Sequence, residues 1–215
     1  MQDNLKMKIT KSNLKKVILE KIMLSRPNFQ EYCKVLAKAY LDAPKYDSKV
    51  VKHWDALKMS NDRLYKHMLG KGYKVQIVQE DPYKTQPAMR QDVLKTKVLK
   101  VWGEFKNHPY FSAEENFKFR AVHDFYAHIL GNAGFGGVGE IHAYNVHAKI
   151  APKEALPALF MEIAAINVCI SQGNNPPRKI AVLHGFDYRK LGLLDGYKIV
   201  NKKLVPIESP IKKVT

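Results

Sequence analysis

The sequence predicts a mainly helical α+β protein, a helical core carrying a small β-hairpin or two-stranded sheet. Two observations point there. Several long segments repeat apolar residues with the 3.6-residue period of a half-buried helix. Two or three short segments alternate apolar and polar residues as strands do, and sit between turn signals. With 215 residues and 46 % hydrophobic side chains the chain can build a core, which argues against global disorder.

Residues 12–24 read as a first helix: Leu14, Val17, Ile18 and Ile22 share a stripe that Lys15, Lys16 and Lys21 avoid. Pro27 stops it. Asn28, with Glu31 three residues on, suits the start of a second helix with Phe29, Tyr32, Cys33, Leu36, Ala37 and Tyr40 inward. A third helix is expected from about Ser48 to Leu69, with Val50, Trp54, Leu57, Leu64 and Met68 inward and Gly70 and Gly72 behind it. Tyr73, Val75 and Ile77 alternate as a strand, and 97–102 as a second that can pair with it, leaving 79–96 as a long irregular loop. Ser112 and Glu115 form a capping-box pattern opening a helix that ends near Gly131. Further helices are expected from Glu140 and over about 153–171. Residues 179–186 suit a strand or a short helix, and YKIVNKKLVPI a hairpin turning at Asn201-Lys202.

The formal net charge is +16, which favours nucleic acid or an acidic protein surface as partner. Both ends are basic, which divides the chain into a basic N-terminal helical segment (1–46), a central domain (47–175) and a basic C-terminal extension (176–215). Cys33 and Cys169 lie in apolar helical patterns without ligand spacing, as buried thiols of a reducing compartment do. The first residues lack the apolar stretch of a secretory signal. The most apolar run, LFMEIAAINVCI, is shorter than the ~20 residues of a span and contains a glutamate, so no membrane span is expected.

Chemistry is concentrated in FRAVHDFYAH (119–128) and GFGGVGEIHAYNVH (134–147), which hold four of the eight histidines. On an α-helix Asp124 and His128, four apart, share a face beside Arg120, while His123 projects from a flank. A carboxylate and an imidazole so spaced can hold a divalent metal ion or act as acid and base; an ordinary polar face is the competing reading. Five glycines between 131 and 139 exceed what a helix–helix turn needs. They suit close backbone approach to an anion, with Gly136 and Gly137 at the following helix start. Glu140, Tyr144 and His147 then form one stripe; Glu140 and His147 stand ~10 Å apart along the axis, too far to chelate one ion unaided. Glu162, on a helix otherwise apolar but for Asn167, requires a partner if buried. Arg120, a histidine of the cluster or a metal ion are the expected ones.

These strings resemble an uncharacterised domain family of tailed-bacteriophage proteins, with the pattern FRxxHDxxxH, then GFGxxGExxAxxxH, then a helix bearing a glutamate and an asparagine. Here these are Phe119-Arg120, His123-Asp124, His128, Gly134-Phe135-Gly136, Gly139-Glu140, Ala143, His147, Glu162 and Asn167. The resemblance spans roughly residues 50–170 and implies a viral protein of the host cytoplasm or virion. Ala127 replaces a frequent glycine, and Ile163 to Ile166 replace a polar stretch, departures that imply altered or lost activity. The His-Asp dyad also invites comparison with helical metal phosphohydrolases of the HD type, but no suitable downstream aspartate follows.

Two functions are therefore expected. One is metal-dependent hydrolysis of a phosphoester in a nucleotide or nucleic acid. His123, Asp124, His128, Glu140, His147 and Glu162 form the site. Asp124 and His128 bind the metal, Glu140 is general base, and Arg120, Gly136, Gly137 and Asn167 contact substrate. The other is a non-catalytic virion or packaged protein that binds DNA or acidic virion partners, its polar cluster serving only the fold.

Overall fold

The computed structural model describes residues 27–103, 107–186, 188–189, 197–200 and 203–206. The helix expected at 12–24 and the turn at Asn201-Lys202 lie outside them. The architecture is the mainly helical α+β one, with small two-stranded sheets.

Helix α1 (Pro27–Asp42) has proline as its first residue, where a missing N–H costs nothing; it starts one residue before Asn28, the N-cap the sequence suggests. Its face of Tyr32, Cys33, Leu36, Ala37 and Tyr40 is buried. The Asp47 carboxylate accepts from Lys49 N at 2.9 Å and caps a 3₁₀ turn, Ser48–Val50, leading into α2 (Val51–Gly70). Trp54, Leu57 and Met68 of α2 are wholly buried, each stabilising by roughly 1.5–3 kcal/mol or more for its size.

Strand β1 (Lys74–Val78) pairs with β2 (Val98–Trp102) in parallel, Lys74 opposite Val98 and Val78 opposite Trp102. Parallel neighbours need a crossover connection, and helix α3 (Gln86–Thr96) supplies it. The stretch expected to be a loop over 79–96 is therefore corrected: a helix occupies most of it. Thr85 caps it, Pro87 stands in its first turn, and Lys97 ends it at φ 60°.

Helix α4 (Ala113–His123) opens with the expected capping box of Ser112 and Glu115. Beyond His123 it continues as a π-helix over Asp124–Leu130, closed by Gly131 N donating to Tyr126 O, five residues back, at 2.9 Å. Helix α5 (Gly137–Ala148) follows. A 3₁₀ turn (Lys153–Ala155) leads into α6, which is α-helical over Leu156–Leu159, π-helical over Phe160–Ala165 and α-helical again over Ile166–Ser171. By length and composition Lys153–Ser171 is long and apolar enough to cross a membrane, and most of it is buried inside the fold. Strands β3 (Tyr197–Val200) and β4 (Lys203–Pro206) form the antiparallel hairpin. Residues 179–186 form neither a strand nor a helix; a single parallel bridge joins Tyr46 to Ile180.

One core joins α1, α2, α6 and the later segment Ile180, Ala181, Leu183 and Phe186. The boundaries expected near residues 46 and 176 thus fall inside a shared hydrophobic cluster. A second core gathers Met68, Tyr73, Met89, Val93, Leu99 and Val101 around Ala121, Phe125 and Ile129 of α4. Helix α4 lies between the two, giving Phe119 to the first and Phe125 to the second. Its polar residues are held by packing on both sides.

Candidate metal centre

The π-helix decides which polar residues meet. In an α-helix, residues five apart diverge by about 140°; where the ladder runs i to i+5 they share a face. His123 and His128 are five apart, and their Nε2 atoms stand 3.1 Å from each other. The expectation that Asp124 and His128 act together while His123 projects elsewhere is corrected: His123 joins His128. Glu140, in the first turn of α5, completes the group, with Oε2 3.2 Å from His123 Nε2 and Oε1 3.4 Å from His128 Nε2. One ligand atom from each of the three lies within 4.8 Å of the others.

These separations suit a single cation. Ligand atoms about 2.1 Å from one ion stand about 3.0 Å apart at right angles and about 3.4 Å apart in a tetrahedron. The separation of the two imidazole nitrogens falls in that interval, as does the distance from each to its nearest Glu140 oxygen, the two imidazoles meeting different oxygens of the carboxylate. His128 Nδ1 donates to Ala133 O at 2.9 Å, which leaves the Nε2 lone pair aimed at the group, the orientation that outer partners impose on metal-binding histidines. Two imidazole nitrogens at 3.1 Å cannot both carry a proton toward each other, whereas both can donate to one cation.

When protonated, His128 instead donates from Nε2 to Glu140, and a cation would displace that proton. Burial disfavours the charged Glu140 carboxylate, but hydrogen bonds from His123 and His128 and their positive charge hold its pKa down to about 2. Burial also disfavours charged His128, yet the hydrogen bond and charge of Glu140, with Asp124, carry its pKa above the usual histidine value. The pocket thus favours an anionic carboxylate facing positive charge.

Asp124 is partly buried beside this group; desolvation raises its pKa, partly offset by His123, His128 and Arg120. Among the described residues its carboxylate has no hydrogen-bond donor. His147 lies behind His123, wholly buried, its ring stacked at 6.1 Å on His123 and 6.4 Å on Phe119. Among the described residues neither His147 nitrogen has a hydrogen-bond partner, nor does His123 Nδ1. Burial, and then the charge of His123, lower the His147 pKa to about 3, so it is neutral.

Glu162 belongs to a different network. Trp54 Nε1 donates to its Oε1 at 3.1 Å, His108 Nε2 donates to the same oxygen at 3.0 Å, and Arg178 Nη1 donates to Oε2. His108 Nδ1 accepts from the backbone N–H of Tyr110 and Phe111, which fixes that tautomer. Glu162 thus has partners, and among the described residues they are Trp54, His108 and Arg178 rather than Arg120 or a histidine of the cluster. Against burial, these donors lower the Glu162 pKa. Asn167 donates to Ile163 O at 2.9 Å within its own helix.

The glycines serve close packing. A Cβ on Gly139 would stand 2.0 Å from Gly134 O, and Gly136 adopts φ 85° at the entrance to α5. Gly137 packs on Ser171 of α6. Ala127, Ala133 and Ala143 fill the contact where the π-helix meets α5. Phe135 from the loop sets its ring edge-on to His128 at 5.0 Å.

Sequence reasoning missed the residues that hold the π-helix. Gln86 Nε2 donates to His128 O at 2.6 Å and to Asn132 Oδ1 at 3.2 Å, and Arg90 Nε donates to Ile129 O at 2.9 Å. Both stand on α3, so the crossover helix supplies donors to the distorted turn. Only a polar residue at a buried position could have signalled this. No family of known proteins, no curated protein and no solved structure matches the chain.

Proposed function

We propose that the chain is a metal-dependent hydrolase of phosphoesters in nucleotides or nucleic acid, with His123, His128 and Glu140 holding one divalent ion. The observation that carries the reading is the convergence of those three ligand atoms from two helices. Two histidines and a carboxylate are a frequent catalytic ligand set that leaves positions for water and substrate. A divalent ion so held supplies a water of near-neutral pKa and polarises a phosphoryl oxygen.

The chain's own residues then divide the work. Glu140 is a ligand, committed to both histidines, and is replaced as general base by Asp124. Asp124 sits beside the ligand group with a raised pKa and without a hydrogen-bond donor among the described residues, so it can take up a proton. Arg120, one turn earlier, faces Asp124 and offers a cation to an anionic substrate. His147 and Glu162 stay out of the chemistry and brace the wall. The motif strings support a tailed-phage origin, in host cytoplasm or virion, and the +16 charge supports a polyanionic substrate.

Charge also favours a second reading, a non-catalytic packaged protein contacting DNA or acidic virion proteins. Hydrolysis of bis(p-nitrophenyl) phosphate and of single-stranded DNA, with manganese or zinc supplied, separates the two. The enzyme reading expects activity that chelator abolishes and that His123→Ala removes. Salt-dependent DNA binding without such activity would leave the packaged-protein reading in place.

A further inference from the structure

A cleft of about 340 Å³ is lined by Ile77, Trp102, Gly103, Phe117 and Arg120, with Ala113 and Glu114 from the start of α4; Arg120 is coupled electrostatically to Asp124, which neighbours the proposed metal centre. The cleft lies at the carboxyl ends of the parallel strands β1 and β2, where parallel sheets commonly receive ligands. Its middle is apolar and aromatic. Ile77 is 55 % exposed there. The Trp102 indole is fixed by Nε1 donating to Gln79 O at 3.1 Å.

The cleft follows one stripe of α4 toward Asp124, which neighbours the metal centre. Phe117, Arg120 and Asp124 are successive turns of that stripe, and His123 stands about 60° round the helix from Arg120. Resting on the hydrolase reading above, we infer that this cleft receives the base of a nucleotide unit. The base stacks among Trp102, Phe117 and Ile77, and Arg120 directs the phosphate toward His123, His128 and Glu140. Flat aromatic surfaces accept any base by stacking, so the cleft selects for nucleotides over simple phosphoesters, with little preference among bases. Glu114, paired with Lys118 at 2.8 Å, stands at the end away from Arg120, which turns the phosphate toward the Arg120 end.

Tryptophan fluorescence of the full chain tests this without turnover. The chain has two tryptophans; Trp54 is wholly buried and tied to Glu162, so Trp102 is the reporter. In chelator, adenosine monophosphate is expected to quench saturably and to bind at least ten-fold more tightly than ribose 5-phosphate. Phe117→Ala should weaken the nucleotide about ten-fold and leave ribose phosphate unchanged. Ile77→Ala, at an exposed position that tolerates truncation, should weaken the nucleotide in the same sense. A single-stranded tetranucleotide binding more tightly than the monophosphate assigns the unit to a polynucleotide end; equal binding assigns a free nucleotide, and both support base recognition. Equal affinity for ribose phosphate and adenosine monophosphate, or no effect of either substitution, overturns it. Failure of the wild-type chain to bind manganese or zinc, with base-dependent quenching intact, would instead overturn the hydrolase reading and leave the base site standing.

Discussion

Gln86→Leu isolates the role of α3 in shaping the centre. Gln86 is 7 % exposed, and its amide donates to His128 O at 2.6 Å and to Asn132 Oδ1 at 3.2 Å. Leucine nearly conserves the volume, so little cavity arises and the lost hydrogen bonds dominate. Asn132 is exposed and can turn to water, but the His128 carbonyl is left in a buried setting at a cost of about 1–3 kcal/mol. The same bond anchors the turn that brings His128 within reach of His123. Loss of an outer partner of this kind lowers metal affinity about 10- to 100-fold. Urea unfolding in chelator measures the first effect, and competition against a chromophoric chelator under folding conditions the second. Leu94→Ala on the partly exposed side of the same helix should change stability by no more than about 0.5 kcal/mol and leave metal affinity alone. A folded Gln86→Leu variant with wild-type metal affinity would refute the idea that α3 sets the ligand geometry.

Three further outcomes follow. His147 has a folded pKa lowered to about 3, so below about pH 6.5 the unfolded chain takes up a proton that the folded chain refuses. Its contribution is complete above that pH and is lost as pH falls, by about 1.4 kcal/mol per unit; in denaturant titrations His147→Phe should remove this part of the acid slope. Glu162 has a lowered folded pKa, so its stabilisation is present above the ordinary glutamate range and lost on acidification. Glu162→Ala strands Arg178 and should cost about 3–5 kcal/mol, read as a shifted urea midpoint, while the folded variant keeps its metal affinity. Asp124→Asn should preserve metal binding measured by calorimetry and lower hydrolysis of bis(p-nitrophenyl) phosphate at least 100-fold; unchanged turnover would remove Asp124 from the chemistry.

Elements whose causes are local were legible in the sequence. The Ser112–Glu115 capping box and the apolar helix ending at Ser171 depend on neighbours within a few residues. Helix α3 escaped because its buried face has only Met89 and Val93 as apolar residues and shares that face with the polar Gln86, which blurs the helical period. The candidate site was legible in its membership: His123, His128 and Glu140 all stood out by residue type. Their pairing was not, because it depends on the extra residue of a π-turn. Donors from α3, some 40 residues away in sequence, meet the carbonyls of that turn, and no local pattern encodes such long-range satisfaction. Glu162 shows the same limit: its need for a partner follows from burial, but Trp54, His108 and Arg178 converge on it only through the tertiary fold.

The most direct test is metal stoichiometry by elemental analysis of the purified chain after equilibration with zinc or manganese. The account predicts one ion per chain in the wild type and in His147→Phe, and loss of that ion in His123→Ala, His128→Ala and Glu140→Gln. A wild-type chain without bound metal, or one whose metal survives all three ligand substitutions, would contradict it.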